Sequence, residues 1–344
     1  MGFAYNEIKD QFNALKKTSD FIKQNKKNLA GLFSGVKQLV MIGCGSSYSV
    51  LKSYDILAKL ELGVPSSVFA AGDVMLNYER YAPLLKDSLV ITISRSGSTS
   101  EVVNAINNIK KVANIKVLSI VSTMDSAVAK LSDLALEMPW TFDESVCQTR
   151  TVANFYAAGA IMFAQLSGNA KLLAKIDEAI AHGGHFMEKY EADFKAIAQK
   201  DFDSVVVLAD GEIEGLAEEA ALAYKEICQL PSNYYHLLDA RHGPMVLFGK
   251  KTLVIFALSA NDIETQKKMV ADVAAKGCTV LVYSAQKLDK LDNVALQVSS
   301  DMELCQTSIG LHFLPISHFV SFFKAENLGV DPDNPTGLSA WIKL

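Results

Sequence analysis

The stretch Leu89–Glu101, LVITISRSGSTSE, decides the fold because it contains a strand, a loop and a helix start within thirteen residues. Its first five residues are apolar or β-branched, as in a strand buried inside a parallel sheet. Five of the seven side chains in Ser94–Ser100 are hydroxyls, and apolar residues at helical spacing follow. A helix N-terminus attracts anions through its backbone N–H groups and its dipole, and Gly97 lets the backbone approach a ligand. The stretch therefore predicts an anion-binding loop, with an ordinary strand–loop–helix connection as the alternative.

Length and composition restrict the class of protein. A chain of 344 residues is long enough for two domains. Its net charge of −5 argues against a nucleic-acid-binding protein, which is usually basic. No apolar run approaches the ~20 residues that a membrane helix needs, and the first residues lack an apolar signal core. An odd number of cysteines, five, without paired spacing suits a reducing compartment, so we expect a cytoplasmic location. We expect neither a metal nor a cofactor.

Strands and helices alternate along the chain, which predicts parallel sheets covered by helices on both faces. The apolar runs that we interpret as strands lie at 39–42, 67–70, 89–93, 116–121, 134–138, 204–208, 253–257 and 280–283. Leu39, Leu89 and Val117 are 50 and 28 residues apart, and in the second half Val205, Leu253 and Val280 are 48 and 27 apart. These similar intervals indicate a duplicated α/β domain. Where the first half has Ser94-Arg95-Ser96-Gly97, the second has Leu258-Ser259-Ala260-Asn261, so the anion loop is intact only in the first half.

Three further segments read as helical. Residues from Ile8 to about Leu32 have the spacing of one amphipathic helix, and Ala153–Leu166 reads as a buried helix. Residues 169–200 read as a helical connector, and His182-Gly183-Gly184-His185 predicts a turn between two helices within it.

Two pairs of motifs carry a resemblance to a known family. Gly43-Cys44-Gly45-Ser46-Ser47, followed about 50 residues later by Ser94-Arg95-Ser96-Gly97-Ser98-Thr99, resembles the sugar-isomerase (SIS) phosphosugar-binding fold. Leu222-Ala223-Tyr224-Lys225-Glu226 and Arg241-His242-Gly243-Pro244 resemble the isomerase half of glucosamine-6-phosphate synthase and its relatives. The resemblance implies an α/β fold of two duplicated SIS domains, each a parallel, flavodoxin-like sheet flanked by helices in three layers.

The resemblance also divides the chain. The expected parts are an N-terminal helix at 1–34, a first, phosphate-binding SIS domain at 35–168, the helical connector at 169–200, a second SIS domain with the catalytic groups at 201–330 and a C-terminal tail at 331–344.

In the family, loops of the first half hold the sugar phosphate. The residues that match those loops, and that the resemblance implies as phosphate or sugar ligands, are Ser47, Ser94, Arg95, Ser96 and Thr99, with Gly45 and Ser46 as further candidates. Arg95 stands where the synthase has a glutamine and would add charge to the phosphate site. Gln148-Thr149 replaces the family's Ser-Thr pair, which makes Thr149 a weaker equivalent.

The second half would supply the chemistry. By resemblance, Glu226 is the general base and His242 opens the sugar ring, and this pair suits proton transfer between C1 and C2 of a ketose. The synthase-like isomerases carry a lysine three residues before the glutamate, where this chain has Ala223. They also carry a C-terminal lysine that forms a Schiff base with the ketose, where this chain has Ala340. Lys343 lies three positions further on and is a candidate substitute.

The two missing lysines favour an enzyme whose substrate already carries an amine at C1. We therefore expect a deglycase that cleaves a fructosamine (fructose-amino acid) 6-phosphate to glucose 6-phosphate and amine. The alternatives are a ketose/aldose phosphosugar isomerase, an aminosugar-phosphate deaminase and a non-catalytic phosphosugar sensor. Family members are commonly dimers, so we expect a homodimer with the site at the subunit interface, binding neither nucleic acid nor membrane.

Overall fold

A computed structural model describes residues 2–111, 115–342 and 344 of the chain. The chain forms two compact units, each assembled from three segments of sequence. The first unit consists of Asn13–Glu144, Arg150–Leu173 and Ser339–Leu344. The second unit consists of Met1–Phe12, Ser145–Thr149 and Ala174–Leu338.

The sheet of the first unit has five parallel strands in the order β2-β1-β3-β4-β5. They are β1 (Gln38–Gly43), β2 (Ser66–Ala70), β3 (Ser88–Ser94), β4 (Lys116–Val121) and β5 (Leu134–Glu137). Leu89 of β3 pairs with Leu39 on one side and with Lys116 on the other. All seven residues of β3 are buried, as in a central parallel strand whose two faces are covered. The strands that the apolar runs predict in this half are confirmed.

In the described part of the chain, eight α-helices precede or surround this sheet. They are α1 (Phe3–Gln24), α2 (Lys26–Phe33), α3 (Ser46–Leu62), α4 (Ala71–Leu76), α5 (Tyr78–Leu85), α6 (Ser100–Ile109), α7 (Ala127–Leu131) and α8 (Arg150–Ser167). The prediction of one continuous helix from Ile8 to about Leu32 is wrong, because α1 ends before Asn25. The Asn25 side chain donates a hydrogen bond to the carbonyl of Phe21 at 3.0 Å, a local bond of the kind that competes with helix continuation.

The sheet of the second unit repeats this topology, with five parallel strands in the order β10-β9-β8-β6-β7. They are β6 (Ser204–Leu208), β7 (Ser232–Tyr235), β8 (Thr252–Leu258), β9 (Thr279–Ser284) and β10 (Leu296–Ser299). In each unit the first strand of the sheet lies between the second and the third, so the expected duplication is confirmed. The apolar runs did not reveal β7 and β10, since each has only four residues and includes polar side chains.

Four further α-helices follow among the residues that the structure describes. They are α9 (Ala170–Ala198), α10 (Glu214–Ile227), α11 (Ile263–Ala274) and α12 (Gln306–Leu328). The turn predicted at His182–His185 is wrong, because α9 is continuous through it. A Cβ on Gly183 would lie 1.8 Å from Cε1 of Phe12, so this glycine permits close packing rather than a turn. Among the helices that the structure describes, none is long and apolar enough to cross a membrane.

The two faces of the second sheet pack against different elements. Alternate strand residues, Val206 and Val254 among them, pack with Met269 of α11 and with Leu237 and Phe248 from the connection between β7 and β8. We call this the α11 face. Helix α10 packs against β6, β7 and α12, and we call the side of the sheet that it covers the α10 face. Crossover connections between parallel strands are right-handed. The connection from β6 to β7 and the connection from β7 to β8 run in opposite directions across the sheet. Helix α10 and the later connection therefore lie on opposite faces.

A chain of hydrogen bonds is buried within the second unit. His312 of α12 has no exposed surface, and its Nε2 donates to the carbonyl of Ala179 at 2.8 Å. Its Nδ1 therefore accepts from the Ser300 hydroxyl at 2.7 Å, which lies 2.8 Å from the hydroxyl of Tyr283. The ring also stacks on Phe186 at a centroid distance of 4.7 Å. Burial lowers the pKa of His312 to about 4, so the neutral ring is the form that this network holds.

The neutral state of His312 predicts a loss of stability in mild acid. In the unfolded chain the ring binds a proton near pH 6.5, whereas the folded protein resists protonation until about pH 4, so stability is lost as pH falls between these values. By linkage this group contributes a loss of about 2 kcal/mol between pH 7.5 and pH 5. Urea unfolding of the wild type and of His312→Gln at both pH values measures it. An equal loss in the variant would show that His312 is not responsible.

Candidate active site

The loop after β3 is held in shape by its own hydroxyls. The Ser94 hydroxyl accepts a hydrogen bond from the Gly97 N–H at 3.0 Å, and the Ser96 hydroxyl accepts one from the Ser98 N–H at 3.2 Å. Thr99 is the residue before the first turn of α6. The structure therefore brings Ser94, Ser96 and Thr99 together at a helix N-terminus, where N–H groups lack intrahelical acceptors.

The backbone conformation and the close packing at position 97 require a glycine. Its φ of 58° lies in the left-handed region, and a Cβ there would lie 2.1 Å from the hydroxyl oxygen of Ser126. Its carbonyl accepts a hydrogen bond from the Val128 N–H at 2.9 Å. Ser126 in turn caps α7, because its hydroxyl accepts from the Ala129 N–H at 3.3 Å. The loop after β3 thus packs directly on the start of α7.

The loop after β1 forms the second part of the site. Gly45 precedes α3 with φ 53° and ψ −133°, a conformation suited to glycine. Ser46 and Ser47 open α3, and both are buried. Burial, with a smaller contribution from the carboxylate of Glu101, raises the pKa of the neighbouring Cys44 to about 11. The thiol therefore stays protonated at neutral pH and places no negative charge beside an anion site.

Arg95 contacts the C-terminal tail. The residue is only 3% exposed, and its Nη2 donates to the carbonyl of Ala340 at 2.8 Å. The start of α6 contacts the same tail, because the Ser100 hydroxyl accepts from the Leu344 N–H at 2.9 Å and the Ser100 N–H donates to the carbonyl of Ile342 at 3.4 Å. The tail thus lies against the anion loop of the first unit. Lys343 lies outside the described residues.

Ser100 was absent from the predicted site residues although it lies in the same hydroxyl-rich stretch. Its position as the first residue of α6 was the available signal, since the first helical turn offers a free N–H.

Thr149 belongs to a different unit from these loops. It is fully buried and lies in the segment Ser145–Thr149 of the second unit. Glu7 of α1 holds this segment, since its carboxylate accepts hydrogen bonds from the Ser145 hydroxyl and, at 3.2 Å, from the Ser145 N–H. The role of Thr149 in substrate binding stays a prediction.

The corresponding loop of the second unit is filled by its own chain. The Gln266 side chain is 8% exposed, and its Oε1 accepts from the Ser259 N–H at 3.0 Å. Its Nε2 donates to the carbonyl of Asn261 at 2.5 Å and to that of Ser259 at 3.1 Å. Counted from the helix start, the equivalent residue in α6 is Val103, which has no polar group to offer the loop. Comparing the sequences of the two halves identified the changed loop. It missed Gln266, whose side chain forms hydrogen bonds with the backbone of that loop.

Glu226 and His242 both belong to the second unit, on opposite faces of its sheet. Glu226 is partly buried in the last turn of α10, on the α10 face. His242 is exposed at the end of a 3-10 turn, Asp239–His242, in the connection that packs on the α11 face. The parallel sheet and its side chains lie between the two elements. The structure therefore does not bring the expected general base and ring-opening histidine of one chain together.

Comparison with known proteins supports the fold and its class. Residues 32–164 match the model of the SIS domain. The chain is 24% identical over 347 residues to glutamine–fructose-6-phosphate aminotransferase [isomerizing] of Sulfurisphaera tokodaii, covering 99% of this chain and 56% of the relative. The chain thus spans about half the length of that curated relative.

Solved structures agree with this assignment at the level of fold. The tagatose-6-phosphate ketose/aldose isomerase of Escherichia coli has a TM-score of 0.86 at 18% identity, with 99% of this chain and 96% of that chain covered. A glucosamine-6-phosphate deaminase of Thermotoga maritima has a TM-score of 0.74 at 23% identity, with 95% and 100% covered. The resemblance to the SIS phosphosugar isomerase family is confirmed, and the chain has the α/β fold of SIS domains with two parallel five-stranded sheets.

The contact between Gly97 and Ser126 predicts a local and measurable defect. Gly97→Ala should destabilise the protein by roughly 1–3 kcal/mol and weaken binding of inorganic phosphate, because strain and the clash with Ser126 both displace the loop. Gly168→Ala is the matched control, since its φ is 75° and no atom lies within 4 Å of the added Cβ. Thermal unfolding and calorimetric titration with phosphate distinguish them. Equal phosphate affinity in Gly97→Ala and the wild type would show that this loop does not bind phosphate.

Proposed function

We propose that the protein is a deglycase that cleaves a fructosamine 6-phosphate to glucose 6-phosphate and a free amine. At the coarser level, residues 32–164 match the SIS domain, and the proteins that the whole chain resembles include enzymes that isomerise or deaminate sugar phosphates. The observation that carries the finer proposal is Ala223, which lies one turn before Glu226 in α10 and is 2% exposed. A buried methyl group occupies the place at which the resemblance implies a lysine, so no ammonium side chain stands at that position beside Glu226.

The proposed reaction uses only proton transfers and water. His242 opens the sugar ring by protonating the ring oxygen, and Glu226 then removes a proton from C1, which bears the amine. The electrons of the C1–H bond form a C1–C2 double bond while the π electrons of the C2 carbonyl move onto its oxygen, which takes a proton from water, and this gives an enaminol. Return of the proton to C2 and loss of a proton from nitrogen produce an imine at C1. Water adds to this imine and the C1–N bond breaks, which releases the amine and leaves the aldehyde of glucose 6-phosphate.

A ketose/aldose isomerase or an aminosugar-phosphate deaminase is the second candidate. The structurally similar ketose/aldose isomerase of Escherichia coli and deaminase of Thermotoga maritima favour it, and a base with an acid would serve those reactions too. A non-catalytic sensor is disfavoured because Glu226 and His242 are both present in their motifs.

We further propose that the active form is a homodimer in which one copy supplies Glu226 and the other His242. Glu226 and His242 of one chain lie on opposite faces of the second sheet. Both residues can therefore reach C1 and C2 of one substrate only if a second copy of the chain supplies one of them. The surface beside His242 fits this arrangement, because Val246 is 80% exposed and Leu247 is 79% exposed. Two such neighbouring side chains are the kind of apolar surface that a second subunit covers.

Incubation with fructose-lysine 6-phosphate tests the deglycase. We expect release of glucose 6-phosphate by the wild type, measured with a coupled dehydrogenase assay, and loss of turnover in Glu226→Gln with phosphosugar binding retained. The amide keeps the shape of the carboxylate but does not accept the C1 proton. Interconversion of plain sugar phosphates without amine release would establish the isomerase instead.

Mixed dimers test the division of the site between copies. Glu226→Gln and His242→Asn should each be inactive alone, whereas equal amounts unfolded and refolded together should recover about a quarter of the wild-type activity, because half of the dimers are mixed and each mixed dimer has one intact site. Separate refolding of each variant is the control. Absence of recovery, with mixed dimers confirmed by differential tagging, would place both residues in the same chain's site.

A further inference from the structure

The connection that carries His242 is anchored firmly at its beginning. Asp210 Oδ1 accepts a hydrogen bond from the Leu237 N–H at 3.2 Å and lies 3.1 Å from Nδ1 of His236. Leu237 and Ala240 are buried in the core on the α11 face. From Arg241 to Leu247, by contrast, every residue is exposed or only partly buried. His242 therefore lies in the part of the connection that apolar packing holds least.

An ion pair between Arg241 and Asp272 joins this part of the connection to α11. Arg241 Nη2 donates to Oδ2 of Asp272 at 2.6 Å, and Nε donates to the same oxygen at 3.2 Å. Asp272 lies in the last turn of α11, where the negative end of the helix dipole disfavours a carboxylate. No basic residue lies in that turn to offset it. Its contact with Arg241 accounts for an acidic side chain at this unfavourable position.

The pair contributes geometry rather than stability. Its side chains are 33% and 52% exposed, and ion pairs at such exposed sites add little to the stability of a protein. Arg241 also belongs to the 3-10 turn that ends at His242, where its N–H donates to the carbonyl of Leu238 at 3.2 Å. The turn holds the backbone of Arg241, and Asp272 holds its guanidinium. The residue directly before His242 is therefore fixed at its backbone and at its side chain.

We infer that Arg241 and Asp272 are positioning residues that orient His242 for proton transfer. The inference rests on the proposed function, since it assigns a role in the chemistry of His242. An acid that must reach a sugar oxygen has to be held within about 10–20° of its productive direction, and a displacement of 1 Å lowers a rate by roughly 100-fold. The turn that carries His242 is exposed, and the ion pair between Arg241 and Asp272 holds it against α11. This arrangement meets the need.

Kinetics of single and double variants test the inference. With fructose-lysine 6-phosphate, we expect Arg241→Ala and Asp272→Asn each to lower kcat roughly 3- to 5-fold with KM nearly unchanged, which is the size of effect that an exposed ion pair can have. Arg241→Lys should recover part of kcat, and the double variant should be no worse than either single one, because both changes remove one interaction. Glu264→Gln is the matched control, since it removes an ion pair with Lys267, at 2.8 Å, on the same helix.

Wild-type kcat in Arg241→Ala, or an equal loss of kcat in Glu264→Gln, would overturn the inference. Hydrogen–deuterium exchange of the protein without substrate measures the anchoring of the turn independently of the reaction. Exchange in 239–247 should rise in Arg241→Ala and Asp272→Asn but not in the control, and unchanged exchange would also overturn the inference. If exchange rises while the wild type cleaves no fructosamine phosphate, the proposed function fails and the anchoring role stands.

Discussion

The parallel direction of the strands in both sheets is the constraint on which the rest of the structure depends. Parallel neighbours put the loops that follow β1 and β3 at one edge of the sheet, so Ser47 and Ser94 are brought to that edge. The chain must then return across a face before each new strand begins. The β6–β7 return carries Glu226, and the carbonyl of Pro231 bonds to Val205 at the beginning of β6, so α10 ends near the amino edge. The β7–β8 return carries His242 across the other face.

The duplication supplies two copies of this geometry, and small polar changes give the copies different chemistry. In the first unit, Ser94 and Ser96 order the loop through their own hydroxyls and leave the helix N-terminus facing outward to a ligand or tail. In the second unit, the Gln266 amide forms hydrogen bonds with the loop from within. The amide oxygen accepts from the Ser259 N–H, a group that an anion could otherwise bind, and the amide N–H groups donate to carbonyls of the loop. Because Gln266 already forms hydrogen bonds with the backbone of this loop, the loop needs no ligand to do so.

Local pattern predicted most of the strands and the anion loop because those features depend on neighbouring residues. β-branched runs such as Leu89–Ile93 identify buried strands, and hydroxyls with Gly97 identify the loop. Contacts between distant residues were not accessible in this way. The glycines at 183–184 suggested a turn, yet the packing of Gly183 on Phe12 spans more than 170 positions of sequence. The guanidinium of Arg95 likewise fits an anion by its charge, whereas the structure gives it the carbonyl of Ala340.

A second pair of polar side chains lies buried in the same unit as His242. His318 Nε2 of α12 lies 3.5 Å from Oε2 of Glu219 in α10, and both side chains are at most 1% exposed. Polar side chains buried this deeply are costly to leave without a polar neighbour, so each constrains where the other lies. Glu226 lies two turns further along α10 from Glu219. The close approach of these two buried side chains therefore joins α10, which carries the proposed base, to α12, whereas the role proposed for the exposed Arg241–Asp272 pair is to orient His242. Burial thus separates a contact on which packing of the interior depends from an exposed pair that is free to serve the reaction.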